Sequence, residues 1–171
     1  KARWVAKGYS QTAGEDYDDT FAPTASAVSI RAFLALAAQR GLYLRQMDVN
    51  TAFLNAKVDT DIYIHPPPGL SFMFPEKSVL LLRRALYGLK QAPHLWNNLL
   101  VTWLKDQGFQ QCDTDLCIFK RNTHVWIAVY VDDLLVATDT EEQMAQFVNE
   151  IKAKFHMKDL GQPSLLLGMK I

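Results

Sequence analysis

The sequence has little cysteine, no net charge and no long apolar run, and each shortage removes a class of protein. Cys112 and Cys117 are the only cysteines. Neither has the paired spacing with histidine that a zinc site needs, so reduced thiols that serve as packing residues in a cytosolic setting are expected. No apolar stretch approaches the roughly 20 residues of a membrane span, and nothing resembles a signal peptide. Internal repeats and low-complexity linkers are also missing. There is no initiator methionine: the chain starts at Lys1 in one strand-like run and stops at Ile171 in another, so a segment of a longer polypeptide is expected.

With 18 basic and 18 acidic residues the formal charge is zero, which counts against a uniformly basic nucleic-acid binder. The distribution is uneven, however. Between positions 76 and 90, Lys77, Arg83, Arg84 and Lys90 face a single acid, Glu76, whereas Asp132, Asp133, Asp139, Glu141 and Glu142 share their segment with no base. A basic track beside an acidic centre suits work on a charged polymer. At 49% hydrophobic residues, 171 residues can build the core of one domain.

Periodicity predicts an alternation of strands and helices. Residues 1–9 read as a strand and 11–19 as a polar turn or loop. A helix over 26–40 turns Val28, Ile30, Phe33, Leu34 and Ala37 inward and stops at Gly41. A strand over 42–48 follows, and the run Pro66, Pro67, Pro68, Gly69 breaks any regular element. The clearest helix spans 93–107, with Leu95, Trp96, Leu99, Leu100, Trp103 and Leu104 on one face, Pro93 in its first turn and Gly108 at its exit. Strands over 116–120 and 125–131 lead into a hairpin. Thr140-Glu141-Glu142-Gln143 then reads as a capping box for a last helix through Phe155, packed by Met144, Phe147, Val148 and Ile151.

The hairpin carries the chemistry. Asp132 and Asp133 sit between two apolar runs, 126–131 and 134–137. An ionised carboxylate beside a buried sheet is costly unless a cation or hydrogen bonds compensate it, so the pair suggests a bound metal. Asp-Asp is also a poor choice for a two-residue hairpin loop, which favours Asn-Gly or Gly-X. The plain alternative is two solvated turn residues. A third acid, Asp48, closes the 42–48 strand just before Val49-Asn50-Thr51-Ala52-Phe53, where by itself it could be a cap or turn former.

Together the acids form a known pattern. Tyr130-Val131-Asp132-Asp133 resembles the Tyr-X-Asp-Asp box of reverse transcriptases, and 48–53 resembles their first aspartate motif. Lys1-Ala2-Arg3-Trp4-Val5-Ala6-Lys7-Gly8, Asp48-Val49-Asn50-Thr51-Ala52-Phe53-Leu54-Asn55, Leu86-Tyr87-Gly88-Leu89-Lys90-Gln91-Ala92-Pro93 and Met157-Lys158-Asp159-Leu160-Gly161 are similar to blocks of one branch, the copia-type long-terminal-repeat retrotransposons. Four blocks in order over nearly the whole chain are far more specific than any one. On them the chain is identified as a member of that family.

The resemblance implies an α+β fold, a polymerase palm in which helices back an antiparallel sheet, with partial fingers. The fingers would take about 1–41 and 56–90 and the palm about 42–55 and 91–171, with thumb, connection and RNase H absent. It implies RNA-directed DNA polymerisation by two-metal nucleotidyl transfer of dNTPs onto a primer 3′-hydroxyl, with two Mg²⁺ ions that Mn²⁺ can replace. Asp48, Asp132 and Asp133 would be catalytic and, with the Val49 backbone, hold the metal. Asp48 and Asp132 would bridge both ions, and Asp133 would contribute more field than bond. Phe53 would exclude a ribose 2′-hydroxyl, Gln91 would touch nucleotide and template, and Arg3 and Lys1 would grip the triphosphate. Leu167, Gly168 and Met169 would form the primer grip.

Departures from the family pattern are Ser26 and His94 where relatives carry a base, Ala56 where Gly is usual, and Trp4 in place of a smaller aliphatic residue. Reduced template grip is expected from them. The implied partners are an RNA template, a DNA primer, dNTPs and the remainder of a Pol polyprotein (thumb, RNase H, integrase), with no membrane. The implied location is a cytoplasmic virus-like particle whose cDNA is destined for the nucleus. Without the missing regions the segment should hold primer-template poorly. Two competing readings are a non-catalytic RNA-binding module, with Tyr130 and Trp126 as stacking groups, and an inactive element remnant.

Overall fold

The structure is a computed structural model that describes residues 3–166 and 168–171; Lys1 and Leu167, two of the expected site residues, lie outside the described residues. In chain order the elements are α1 (Ala27–Arg40), β1 (Tyr43–Val49), α2 (Ala52–Asn55), β2 (Tyr63–Ile64), β3 (Leu80–Leu81), α3 (Ala92–Asp106), β4 (Gln110–Gln111), β5 (Ile118–Arg121), β6 (Val125–Tyr130), β7 (Asp133–Thr138), α4 (Glu141–Lys154), β8 (Met157–Gly161), β9 (Leu165–Leu166) and β10 (Met169–Lys170). Short 3₁₀ turns lie at Gly8–Ser10 and Ser71–Met73. The chain forms two compact units, one of residues 1–22 and 51–100, the other of 23–50 and 101–171. These ranges differ from the expected finger and palm boundaries: α1 packs with the sheet of the second unit, and the first part of α3 counts with the first unit.

The second unit is built on a six-stranded sheet in the order β4-β5-β6-β7-β1-β8, with every neighbouring pair antiparallel. One face, carrying Ala128, Leu135 and Ala137, packs against Ile30, Phe33 and Ala37 of α1. Side chains alternate along a strand, so Met47, Ile127, Leu134 and Val136 project from the opposite face, where they are fully buried. That face meets α4, whose Phe147 contacts the rings of Trp103 at 6.5 Å and Phe109 at 5.6 Å. Helices on both faces explain why β6 and β7 read as unbroken apolar runs without alternation.

Local signals fix the helices. The Ser26 side chain accepts a hydrogen bond from the Ser29 N–H at 3.0 Å, and Gly41 takes the left-handed conformation, φ 63°, that closes α1. The capping box of α4 is present in both directions between Thr140 and Gln143. Val28, expected inside, is 75% exposed. It lies about 200° around the helix from Ile30 at 3.6 residues per turn, and α1 is oriented by Ile30, Phe33 and Ala37.

The first unit gathers Ala56, Ile62, Ala85, Leu89 and Ala92 into a small core, against which Phe53, Val58, Leu86, Leu95 and Leu99 are half-buried. No regular element crosses Pro66 to Gly69, as the prolines require. The strand expected over 1–9 is not formed by the described residues 3–9. An apolar pattern gave that segment no sheet partner, and it instead crosses the 86–90 turn through the hydrogen bond from Ala6 N–H to Tyr87 C=O at 2.8 Å. A Cβ on Gly8 would stand 1.9 Å from the Gly88 carbonyl oxygen, and one on Gly88 would stand 2.2 Å from that of Ala6. Two of the sequence blocks therefore meet at a crossing that only glycines permit.

Candidate active site

The sheet brings Asp48 and Asp133 together from opposite strands. β1 and β7 pair so that Asp48 lies directly across from Asp133, and the Val49 N–H donates to the Asp132 carbonyl at 2.9 Å. That bond falls outside the Asp48–Asp133 pair, which makes it a non-hydrogen-bonded pair, the type whose Cα atoms approach to about 4.5 Å and whose side chains share one face. A separation of 85 positions in the chain thus becomes adjacency in the fold.

The hairpin loop differs from the expected one. Tyr130 pairs with Asp133, so the two loop residues are Val131 and Asp132, and Asp133 already belongs to β7. Val131 has φ 58°. A β-branched residue there is a genuine outlier whose strain, of order 1–3 kcal/mol, the flanking strands must hold. Asp132, the second loop residue, is exposed to solvent and near enough for its charge to act on Asp133.

Asp133 is the electrostatically stressed member. Burial of its carboxyl pushes its pKa above the ordinary carboxylate range; a hydrogen bond from Gln46 opposes the shift, and the charges of Asp132 and Asp48 reinforce it. Gln46 Nε2 donates to Asp133 Oδ1 at 3.4 Å. Gln46 was missed from sequence, yet its position two residues before Asp48 puts it on the same face. On the other side of Asp48, β8 places Lys158 directly across the ladder, so one row on the acidic face reads Asp133, Asp48, Lys158.

Among the described residues, no group of three His, Cys, Asp or Glu side chains converges as a ready-made metal cage. Mg²⁺ does not ask for one, since it keeps several waters and binds through one or two carboxylates plus substrate phosphates. The hard-oxygen donors and the like-charge crowding at Asp133 fit such an ion.

Of the other expected site residues, Arg3, Phe53 and Gln91 belong to the first unit. Phe53 is half-buried, with its ring stacked on Tyr87 at 5.9 Å between centroids, and the Arg3 guanidinium lies 5.0 Å from the Tyr87 ring centroid. Gln91 is fully buried, donates to the Asp16 carbonyl at 2.7 Å and accepts from Gln11 Nε2 at 2.9 Å. The His94 ring bonds the Phe21 carbonyl at 2.6 Å and Asn98 at 2.7 Å. In the second unit, Gly168, φ 80°, and Met169 lie in the small β9–β10 hairpin, where Met169 packs on the α1 side of the core.

Residues 1–171 match the family described as reverse transcriptase (RNA-dependent DNA polymerase). The chain belongs to the reverse transcriptase family. Its curated relatives include the retrovirus-related Pol polyproteins from transposon TNT 1-94 of Nicotiana tabacum, 37% identical over all of this chain, and from transposon RE1 of Arabidopsis thaliana, 39% identical over 99% of it. The Pol polyprotein from transposon RE2 of Arabidopsis thaliana is 37% identical over the same share. This reverse transcriptase segment spans only 13%, 12% and 12% of those polyproteins. Membership accounts for the four blocks, and the mixed α/β architecture with an antiparallel sheet is the palm-like fold they implied.

Proposed function

We propose that the sheet end bearing Asp48, Asp132 and Asp133 is the catalytic centre of an RNA-directed DNA polymerase acting on an RNA template, a DNA primer and dNTPs. The observation that carries this reading is the cross-strand placement of Asp48 opposite Asp133, with Asp132 held next to them by the tight Val131–Asp132 turn. Asp48 and Asp133 on one face, with the charge of Asp132 acting on Asp133, carry a self-repulsion that a cation would relieve. Asp48, Asp132 and Asp133, with the Val49 backbone, would hold divalent ions. When bound, such ions supply activation of the primer 3′-hydroxyl and neutralisation of the leaving pyrophosphate. The chain's own part is orientation: Gln46 fixes one oxygen of Asp133, and the strained turn fixes Asp132 relative to β1.

An RNA-recognition sheet is less well supported. Trp126 and Tyr130, its candidate stacking groups, are half-buried against the α1 side of the core, whereas stacking on bases needs open ring faces. The test is primer extension on an RNA template by this segment joined to the Pol regions that follow it in its relatives. Asp132→Asn should lower extension at saturating Mg²⁺ by at least about 10³-fold, the scale at which removal of a key charge-stabilising group acts. Extension at the unmodified rate would remove the metal-binding role.

A further inference from the structure

The buried Gln91 side chain has no surface from which to meet a ligand. Its partners, however, converge on one exposed cation. Gln11 donates to Gln91 Oε1 at 2.9 Å, and its own Oε1 accepts from the Lys90 N–H at 2.8 Å. The Asp16 carbonyl accepts from both Gln91 Nε2 at 2.7 Å and Thr60 Oγ1 at 2.9 Å, which pins the loop that holds Tyr17. Lys90 Nζ then donates to the Gln11 carbonyl at 3.1 Å and the Tyr17 hydroxyl at 3.2 Å, 5.0 Å from the Tyr17 ring centroid. Every one of these partners is neutral. Among the described residues no carboxylate forms an ion pair with Lys90. An ammonium fixed by neutral oxygens and a ring face keeps its full charge and its third N–H for an anion.

We infer that Lys90 is a phosphate-binding residue, and that Gln11 and Gln91 are positioning residues that act through it. The inference rests on the polymerase reading only for the source of the phosphate, either a nucleotide triphosphate or a strand backbone. Binding is therefore measured in EDTA without turnover, with inorganic triphosphate in one arm and an RNA–DNA primer-template duplex in the other. A failure here leaves the catalytic reading standing, and a failure of primer extension leaves this one standing.

Lys90→Met should weaken binding in at least one arm by about tenfold, the scale of one charge-assisted hydrogen bond, and the affected arm identifies the source. Lys90→Arg should stay within about twofold of the unmodified chain. Gln11→Ala should weaken the same arm by about threefold on its own and by nothing in the Lys90→Met background, because positioning has no further effect once its output is gone. A purely structural role for Gln11 would give losses that add across the two changes. Unchanged affinity in both arms on Lys90→Met, or additivity with Gln11→Ala, overturns the inference.

Discussion

Ionising Asp133 costs free energy because its carboxyl is partly removed from water and because Asp132 and Asp48 stand close by. A carboxyl whose folded pKa is raised contributes stability that is complete below the ordinary value, near pH 4, and is lost as pH rises through the folded value. Asp133→Asn removes that loss. In EDTA at pH 7 the variant should melt above the unmodified chain, a difference that shrinks to nothing at pH 3.5. Thermal melts at the two pH values check this, and an equal gain at both would mean that the charge is already compensated. Divalent ions should narrow the gap at pH 7 by stabilising the unmodified chain more than the variant.

At the scale of elements, the crossing of the 3–8 segment over the 86–90 turn is a close approach of two backbones. Gly88, with φ 99°, would place a Cβ 2.2 Å from the Ala6 carbonyl oxygen, whereas Gly14, with φ 81°, has open space around it. Gly88→Ala should therefore cost at least about 3 kcal/mol and Gly14→Ala only about 1–2 kcal/mol, the left-handed penalty alone. Urea denaturation of the two variants measures the difference, and similar costs would show that the crossing can yield.

The elements legible in the sequence were those whose signals are local. The Thr140 box, Gly41 and Gly108 mark ends that depend on few neighbours, whereas the Ser26 cap is seen only in the structure. The hairpin loop was placed one residue too late because pairing of Tyr130 with Asp133 decides the register. That pairing outweighs the poor fit of Val131 to a positive φ. The three acids could be named, but their adjacency comes from β1 joining β7, a long-range choice that no local pattern records. The role of Gln91 toward nucleotide and template is implied by the resemblance alone, and no local pattern records its burial, which depends on Gln11 and Asp16, about 80 positions away.

Across the whole molecule the ion pairs of lysine and arginine are unevenly placed. Among the described residues, every ion pair made by a lysine or arginine lies in the second unit, through Arg40, Arg45, Arg121 and Lys152. Arg3, Lys7, Lys57, Lys77, Arg83, Arg84 and Lys90 of the first unit make none. Arg31, Lys105, Lys120, Lys154, Lys158 and Lys170 of the second unit make none either, so zero net charge conceals a few cations committed to carboxylates, all in the second unit, and a larger set in both units that is not. On binding a primer-template duplex, lysine acetylation should be protected at Lys57, Lys77 or Lys90 more than at Lys152, and the protection should fade as salt rises from 50 to about 200 mM. Mass spectrometry of the acetylated chain reads both effects, and protection centred on the second unit would show that this division does not direct binding. No helix among the described residues is long and apolar enough to cross a membrane.

The opposition of Asp48 and Asp133 also makes the centre intolerant of frame changes inside β1. Sliding that strand by one position along β7 would deliver Met47 or Val49 to the place of Asp48 and turn the carboxylate under α4, into the layer with Phe147 and Ile151. A single-residue deletion there cannot be absorbed as a graded loss. The chain must either bulge to restore the alternation or lose core and chemistry together.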